Sequence, residues 1–251
     1  MNKIVIAIDS FKGCLTSEEA GIAVMKGIKT IFPDCEILLF PIADGGEGML
    51  DVLISATQGK YRTLPAHGPL MELIQTRYGI SGDGQTALIE MAAISGLPLV
   101  PEEKRNPMLT TTYGTGELIL DALEQGCRRF IVGIGGSATN DVGLGMLQAL
   151  GFRFLDKRGN LLGTGGKIMS QVTSIDTSAV HPALKETRFT IACDVHNPFC
   201  GSDGAAYIFA PQKGADARMV KELEAGMQAL SQVILSLIHI SRCRRLVECR
   251  S

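Results

Sequence analysis

Ile131-Val-Gly-Ile-Gly-Gly-Ser-Ala-Thr-Asn-Asp141 decides how this chain folds. A short apolar strand runs straight into Gly135 and Gly136, then into polar residues, then into a helix-like run from Val142 to Leu150. Glycines directly after a strand let backbone N–H groups approach an anion, because no side chain stands in the way. Ser137, Thr139, Asn140 and Asp141 then offer hydroxyl, amide and carboxylate groups near the next helix start. That chemistry suits a phosphate and its metal. The competing reading is an ordinary strand-to-helix turn with a good N-cap.

The same strand-then-helix order opens the chain. Lys3 to Asp9 is a near-continuous apolar run, the pattern of a buried parallel strand. Thr16-Ser-Glu-Glu19 is a capping-box pattern, and Ala20, Val24, Ile28 and Ile31 follow near helical spacing until Pro33-Asp34. Glu36 to Ala43 reads as the next strand and Glu47 to Thr57 as a second helix. This order predicts a parallel sheet with ligands at the C-terminal ends of its strands, where Ser10, Lys12, Asp44 and Glu47 fall. Near Pro65-Ala-His-Gly-Pro69 the pattern changes. Leu73 to Ile80, a Gly82-Asp-Gly84 turn and Thr86 to Met91 read as a hairpin. Gly116 to Gln125 reads as a helix closed by Gly126, and Arg128 to Ile134, Phe152 to Asp156 and Thr187 to Asp194 as strands. Asp216 to Leu235 reads as a helix. There is no internal repeat and no low-complexity linker.

With 251 residues and 45% hydrophobic content, the chain can bury a sizeable core in one or two domains. A net charge of −2 gives no reason to expect nucleic acid or a membrane surface as partner. No apolar run reaches the ~18 residues of a membrane span. The first strand begins at Lys3 with no signal-peptide core before it, so a cytoplasmic location is expected. Seven cysteines without CxxC spacing point to reduced thiols. His67, His181 and His196 share no metal spacing, and Cys193 and Cys200 read as packing residues. Gly163-Thr-Gly-Gly166 reads as a glycine-rich turn. No GxxxxGK[ST], HRD or DFG motif is present, so neither common kinase design applies. On the residues alone, the reading stops at an anion-binding α/β enzyme.

Four more polar, glycine-rich patches follow apolar runs: Asp9-Ser-Phe-Lys-Gly13, Ala43-Asp-Gly-Gly-Glu-Gly48, Thr110-Thr-Thr-Tyr-Gly-Thr-Gly-Glu117, and Cys193-Asp-Val-His-Asn-Pro198 with Pro211-Gln-Lys-Gly214. With the opening stretch, in this order, they resemble the bacterial glycerate kinase family, of the type that phosphorylates D-glycerate with ATP. The resemblance covers residues 1 to about 234. It implies two α/β domains: a Rossmann- or flavodoxin-like parallel-sheet domain, incomplete here, beginning with residues 1–64, and an inserted mixed-sheet domain over 65–234. The active site is expected between them, with ATP and Mg²⁺ as cofactors and D-glycerate as substrate. Residues 235–251 carry four arginines and one glutamate and begin Leu-Ser-Leu-Ile-His-Ile, which resembles a translated sequencing adapter. They are expected to be a non-native tail on a C-terminally truncated chain.

Phosphoryl transfer needs an anion cradle, a metal, alignment of the acceptor hydroxyl, and a base. The match assigns Gly135, Gly136, Ser137, Thr139 and Asn140 to the nucleotide phosphates, and Asp141 and Glu47 to the metal. Glu47 also reads as a first-turn helix acid. Ser10 and Lys12 are assigned to substrate, though a lysine in that place also reads as a solvated surface residue. Thr111, Thr112, Tyr113 and Thr115 form a hydroxyl-rich loop for glycerate, or else a hydroxyl-rich N-cap. Asp194 ends a buried-looking strand and suits alignment or deprotonation of the glycerate hydroxyl, with Asn197 beside it. Asp44 is expected as a second catalytic carboxylate, binding either metal or a hydroxyl, and Lys213 suits developing phosphoryl charge. Two other classes compete: an isomerase or lyase on a small hydroxy-acid phosphate, and a non-catalytic anion-binding fragment.

Overall fold

The computed structural model describes residues 3–11, 14–43, 46 and 48–240. Lys12, Asp44, Glu47 and residues 241–251 lie outside the described residues. In chain order the elements are β1 (Lys3–Ile8), α1 (Ser17–Ile31), β2 (Glu36–Pro41), α2 (Met49–Thr57), β3 (Lys60–His67), β4 (Leu73–Ile80), β5 (Thr86–Glu90) and α3 (Ala92–Ser95). They continue with α4 (Tyr113–Glu124), β6 (Arg129–Gly133), α5 (Leu144–Ala149), β7 (Arg153–Leu155), β8 (Ser174–Asp176), β9 (Arg188–Ala192), α6 (Ala205–Phe209) and α7 (Ala217–Ile240).

The chain is α/β throughout. β1 and β2 pair in parallel. α1 starts on the capping box read from sequence: Thr16 Oγ1 accepts from Glu19 N at 3.2 Å, and Glu19 Oε2 accepts from Thr16 N at 2.9 Å. Ser17 then ties the C-terminal ends of the two strands together. Its hydroxyl donates to Ile8 O at 2.6 Å and accepts from Ile42 N at 3.1 Å.

A five-stranded mixed sheet follows, in the order β3-β4-β5-β6-β9. β3, β4 and β5 are antiparallel neighbours, while β5, β6 and β9 run parallel. Alternation along the strands sends residues to opposite faces. Ala87, Ile89, Phe130 and Val132 pack with Leu118, Ile119, Ala122 and Leu123 of α4. Leu88 and Ile131 point the other way and pack with Leu50 and Ile54 of α2. The sheet is therefore covered on both faces, by α4 on one and α2 on the other. A third cluster gathers α7, through Val220, Leu223, Met227 and Leu230, with Ala206, Leu144, Phe154 and Met169.

β3 has no counterpart in the sequence reading. Its KYRTLPAH carries two basic residues and Pro65, which weaken any strand signal. Proline is tolerated here because β3 is an edge strand and Pro65 loses no ladder partner on its open side. Arg62 of β3 is forked onto Asp121 of α4, Nη2 at 2.9 Å from Oδ1, and the Tyr78 hydroxyl donates to the same carboxylate at 2.7 Å. The expected division after residue 64 falls inside β3, and α7 runs unbroken across residues 234 and 235.

α5 is also shorter than its sequence pattern. Val142 and Gly143 both take left-handed backbone, at φ 53° and 75°, so the helix cannot begin before Leu144. A β-branched residue in that conformation costs on the order of 1–3 kcal/mol, which surrounding contacts must offset.

Candidate functional site

The parallel strands β5, β6 and β9 end side by side. Glu90, Gly133 and Ala192 are in register, so the two outer strands stand about 10 Å apart across β6. Past these ends opens a cleft of about 900 Å³. Gly135, Gly136 and Ser137 line it from the loop after β6, Asp194 and Asn197 from the segment after β9, and Lys213 from the turn after α6. Leu97, Pro98, Val195 and Phe199 supply apolar walls.

The glycine-rich loop is held rigidly. Leu97 N donates to Gly136 O and Ala138 N donates to Ser95 O, both at 2.8 Å. Gly136 sits at φ 70°, which a side chain resists. Lys213, 8% exposed, reaches across to the same loop. Its Nζ donates to Ser137 Oγ at 2.9 Å and to Thr139 O at 2.6 Å. Burial pushes this ammonium down to about 8, and the charge of Asp141 opposes that shift. Asn140 also lines the cleft, and its amide lies 3.7 Å from Met227 Sδ.

Asp141 stands one layer below and does not line the cleft. It is 1% exposed. Its Oδ2 accepts from Thr112 N at 2.9 Å, Thr112 Oγ1 at 2.8 Å and Gly145 N at 3.2 Å, and its Oδ1 accepts from Gly143 N at 3.1 Å. Thr112 Oγ1 in turn accepts from Met146 N at 2.9 Å. The N–H groups of the first turn of α5 are thus taken by Asp141 and Thr112, not offered to a ligand. The sequence pattern placed a phosphate against those donors. The structure instead spends them on joining α4 to α5. A Cβ at Gly145 would lie 2.0 Å from Thr111 Oγ1, which shows how tightly the two segments meet.

The threonine loop is equally internal. Thr111, Thr112 and Thr115 are 0%, 2% and 1% exposed, and none lines the cleft. Thr115 Oγ1 pairs with Ser95 Oγ at 2.9 Å. Tyr113 is half-buried with its ring edge-on to His67. These residues support the glycine-rich loop from behind, through Ser95, Thr110 and Ala138. A hydroxyl-rich sequence carries the same signature whether its hydroxyls face a sugar acid or the protein's own backbone.

Ser10 lies in a neighbouring cleft of about 750 Å³, between the β1 end, the start of α1, and α2. Glu90 and Ala93 line both clefts, and Gly46 lines one while Gly48 lines the other. Glu90 was not singled out from sequence. The available signal was the one that marked Asp194: an apolar strand, TALIE, ending on an acid. Lys12, Asp44 and Glu47 are outside the described residues. Among the described residues, no group of three or more His, Cys, Asp or Glu is arranged to hold a metal ion. Mg²⁺ in nucleotide sites takes one or two carboxylates and fills its octahedron with phosphate oxygens and water. Asp194 and the Ser137 hydroxyl are oxygen donors on the cleft, and they fit that pattern.

The model of the Glycerate kinase family matches residues 4–245, running into the segment expected to be foreign. The chain is 51% identical over 238 residues to glycerate 2-kinase of Escherichia coli strain K12, covering 95% of this chain and 62% of that protein. It is 51% identical over 222 residues to glycerate kinase of Bacillus subtilis strain 168, covering 88% and 58%. A crystal structure of a candidate glycerate kinase 2 from Salmonella typhimurium LT2 superposes with a TM-score of 0.86 at 44% identity, covering 95% of this chain and 64% of that one. The chain thus spans about three-fifths of the length of the relatives it matches.

Proposed function

The chain belongs to the glycerate kinase family, and from that premise we propose that it carries the core of an enzyme transferring the γ-phosphoryl group of ATP to D-glycerate. One observation carries this reading: Gly135, Gly136, Ser137, Asp194 and Lys213, far apart in sequence, line a single cleft at the ends of parallel strands. That is where α/β sheets bind ligands.

In this reading the Gly135–Ser137 backbone cradles phosphate, with no side chain to hold it off. Lys213 supplies a fixed positive charge next to Ser137, in a site dry enough for that charge to act strongly on a developing phosphoryl anion. Leu97, Pro98, Val195 and Phe199 provide apolar surface for a nucleotide base. Asp194 shares the phosphate cleft, which favours it as a holder of Mg²⁺ over a base acting on glycerate. Mg²⁺, when bound, neutralises charge on the transferred phosphoryl group. Asn197 braces the segment after Asp194 by donating to Asp203 O at 2.9 Å. Glycerate is assigned to the adjoining cleft with Ser10, and Lys12 follows Ser10 closely in sequence as a partner for the carboxylate. Residues 1–64 and 65–234 then act as two domains with the reaction between them. The Asp141 carboxylate is assigned to scaffolding in place of metal binding. The expected location is cytoplasmic.

The test is consumption of D-glycerate by the purified chain, assayed alone and co-purified with the part of the Escherichia coli relative that it does not cover. The reading expects consumption that requires ATP and releases one ADP per glycerate. No consumption of D-glycerate with ATP, but turnover of a phosphoglycerate without it, would turn the assignment to an isomerase or lyase. Nucleotide binding without turnover in either preparation would leave an anion-binding module.

A further inference from the structure

Glu90 is the described carboxylate that lines both clefts. It is the last residue of β5, the first of the three parallel strands, and its backbone is tied down on both sides. Glu90 pairs in register with Gly133 of β6, and Met91 N donates to Gly133 O at 2.9 Å. Ala93 O, three residues on, accepts from Thr76 Oγ1 of β4 at 3.0 Å. The side chain therefore stands on a rigid strand end, at the place where the two clefts join.

Direct transfer between two bound substrates puts strong demands on that junction. The attacking hydroxyl, the phosphorus and the leaving oxygen must lie roughly in line. If ATP occupies the cleft with the glycine-rich loop and glycerate the one with Ser10, the acceptor hydroxyl meets the γ-phosphorus where both clefts are lined by the same residues. Ala93 is apolar. Among the described residues, Glu90 is the group there with a proton-accepting side chain. Asp194 lines the phosphate cleft and not the other, and it follows the end of β9, which stands about 10 Å across the sheet from the β5 end.

We propose that Glu90 is the catalytic base, accepting the proton of the glycerate hydroxyl as phosphoryl transfer proceeds. The hydroxyl oxygen forms a bond to the γ-phosphorus. The bond from that phosphorus to the oxygen bridging it to the β-phosphate breaks, and that oxygen leaves with ADP. The hydroxyl proton passes to a Glu90 Oε and is released to solvent after the product departs. The proposal rests on the glycerate kinase reading above and adds which carboxylate acts on the acceptor.

Glu90→Gln keeps the shape of the side chain and removes its basicity, and Glu90→Asp keeps basicity on a shorter arm. Both are compared with wild type in the complemented enzyme, by steady-state kinetics in ATP and D-glycerate, with thermal unfolding as a check on folding. Glu90→Gln should lower kcat by roughly 10²–10⁴-fold, the range for a general base, while KM for ATP stays within a few-fold. Glu90→Asp should recover at least tenfold of that loss. A folded Glu90→Gln enzyme with near-wild-type kcat overturns the proposal and leaves the kinase reading standing. Equal loss in Gln and Asp variants, with an unfolding temperature well below wild type, also overturns it, by making Glu90 structural. A wild type that forms no phosphoglycerate from ATP removes the kinase reading and this proposal together.

Discussion

Lys213 Nζ donates to Ser137 Oγ at 2.9 Å, joining two loops that lie 76 residues apart in sequence. Its second bond, to Thr139 O at 2.6 Å, clamps the far side of the same loop. One buried ammonium therefore sets the shape of the glycine-rich turn and places a positive charge against it. Sequence alone assigned Lys213 to the transition state. The structure adds a resting role for it, holding Ser137 in place.

Burying that ammonium makes stability depend on pH in a definite direction. Burial lowers the Lys213 pKa to about 8, against about 10.4 in the unfolded chain. Below about pH 8 both states hold the proton and the cost is present in full, on the order of 3 kcal/mol. Between about pH 8 and pH 10.4 the unfolded state binds more protons, so this group's contribution to stability rises with pH. Urea midpoints of wild type and Lys213→Met, compared from about pH 7.5 to 10, should move in favour of wild type as pH rises. A difference that stays flat, or moves the other way, removes the buried charge from the account.

Asp141→Asn should be a stability mutation. The four donors on this carboxylate are backbone N–H groups and the Thr112 hydroxyl, and an amide turns its own N–H groups towards some of them. The expected loss is about 2–4 kcal/mol in denaturant unfolding. An unchanged midpoint, together with a raised Mg²⁺ requirement, would restore Asp141 to the metal.

Asp194→Asn should act on the nucleotide side. The concentration of Mg²⁺ giving half-maximal rate is expected to rise by roughly tenfold or more, and KM for ATP to rise with it, while KM for glycerate changes little. If turnover at saturating Mg²⁺ collapses with both constants unchanged, Asp194 acts on the acceptor and displaces Glu90.

Gly136→Ala should separate strain from crowding. The added methyl would meet Ala92 Cβ at 3.4 Å, an ordinary contact, so the cost lies in the φ of 70°. About 1 kcal/mol is expected, or roughly 2–4 °C in Tm. Gly136 and Ala92 both line the cleft proposed for ATP, so KM for ATP should rise more than KM for glycerate. Equal effects on both would place the nucleotide elsewhere.

Much of this was legible in the residues. Continuous apolar runs ending on glycine or acid marked β1, β6 and β9, and the Thr16–Glu19 box marked the start of α1 with its reciprocal bonds. The same logic found Gly135, Ser137 and Asp194 at strand ends. Pro65 hid β3, because edge pairing is a tertiary fact that no local pattern reports. Asp141 and the threonines are ambiguous for a different reason: a polar residue near a helix start looks alike in sequence whether its partner is a ligand or a second helix. Only the packing of α4 on α5 tells them apart. Glu90 was passed over because it closes a hairpin strand with no glycine after it. Its meaning comes from β6 and β9 lying beside it.

The most direct test of the cleft's place in the reaction is photolabelling with an azido-adenine ATP analogue, read by peptide mass spectrometry with ATP as competitor. The account predicts ATP-protected labels on residues 97–99 and 195–199, reduced in Lys213→Met. Protected labelling confined to surfaces away from the ends of β5, β6 and β9 would contradict it.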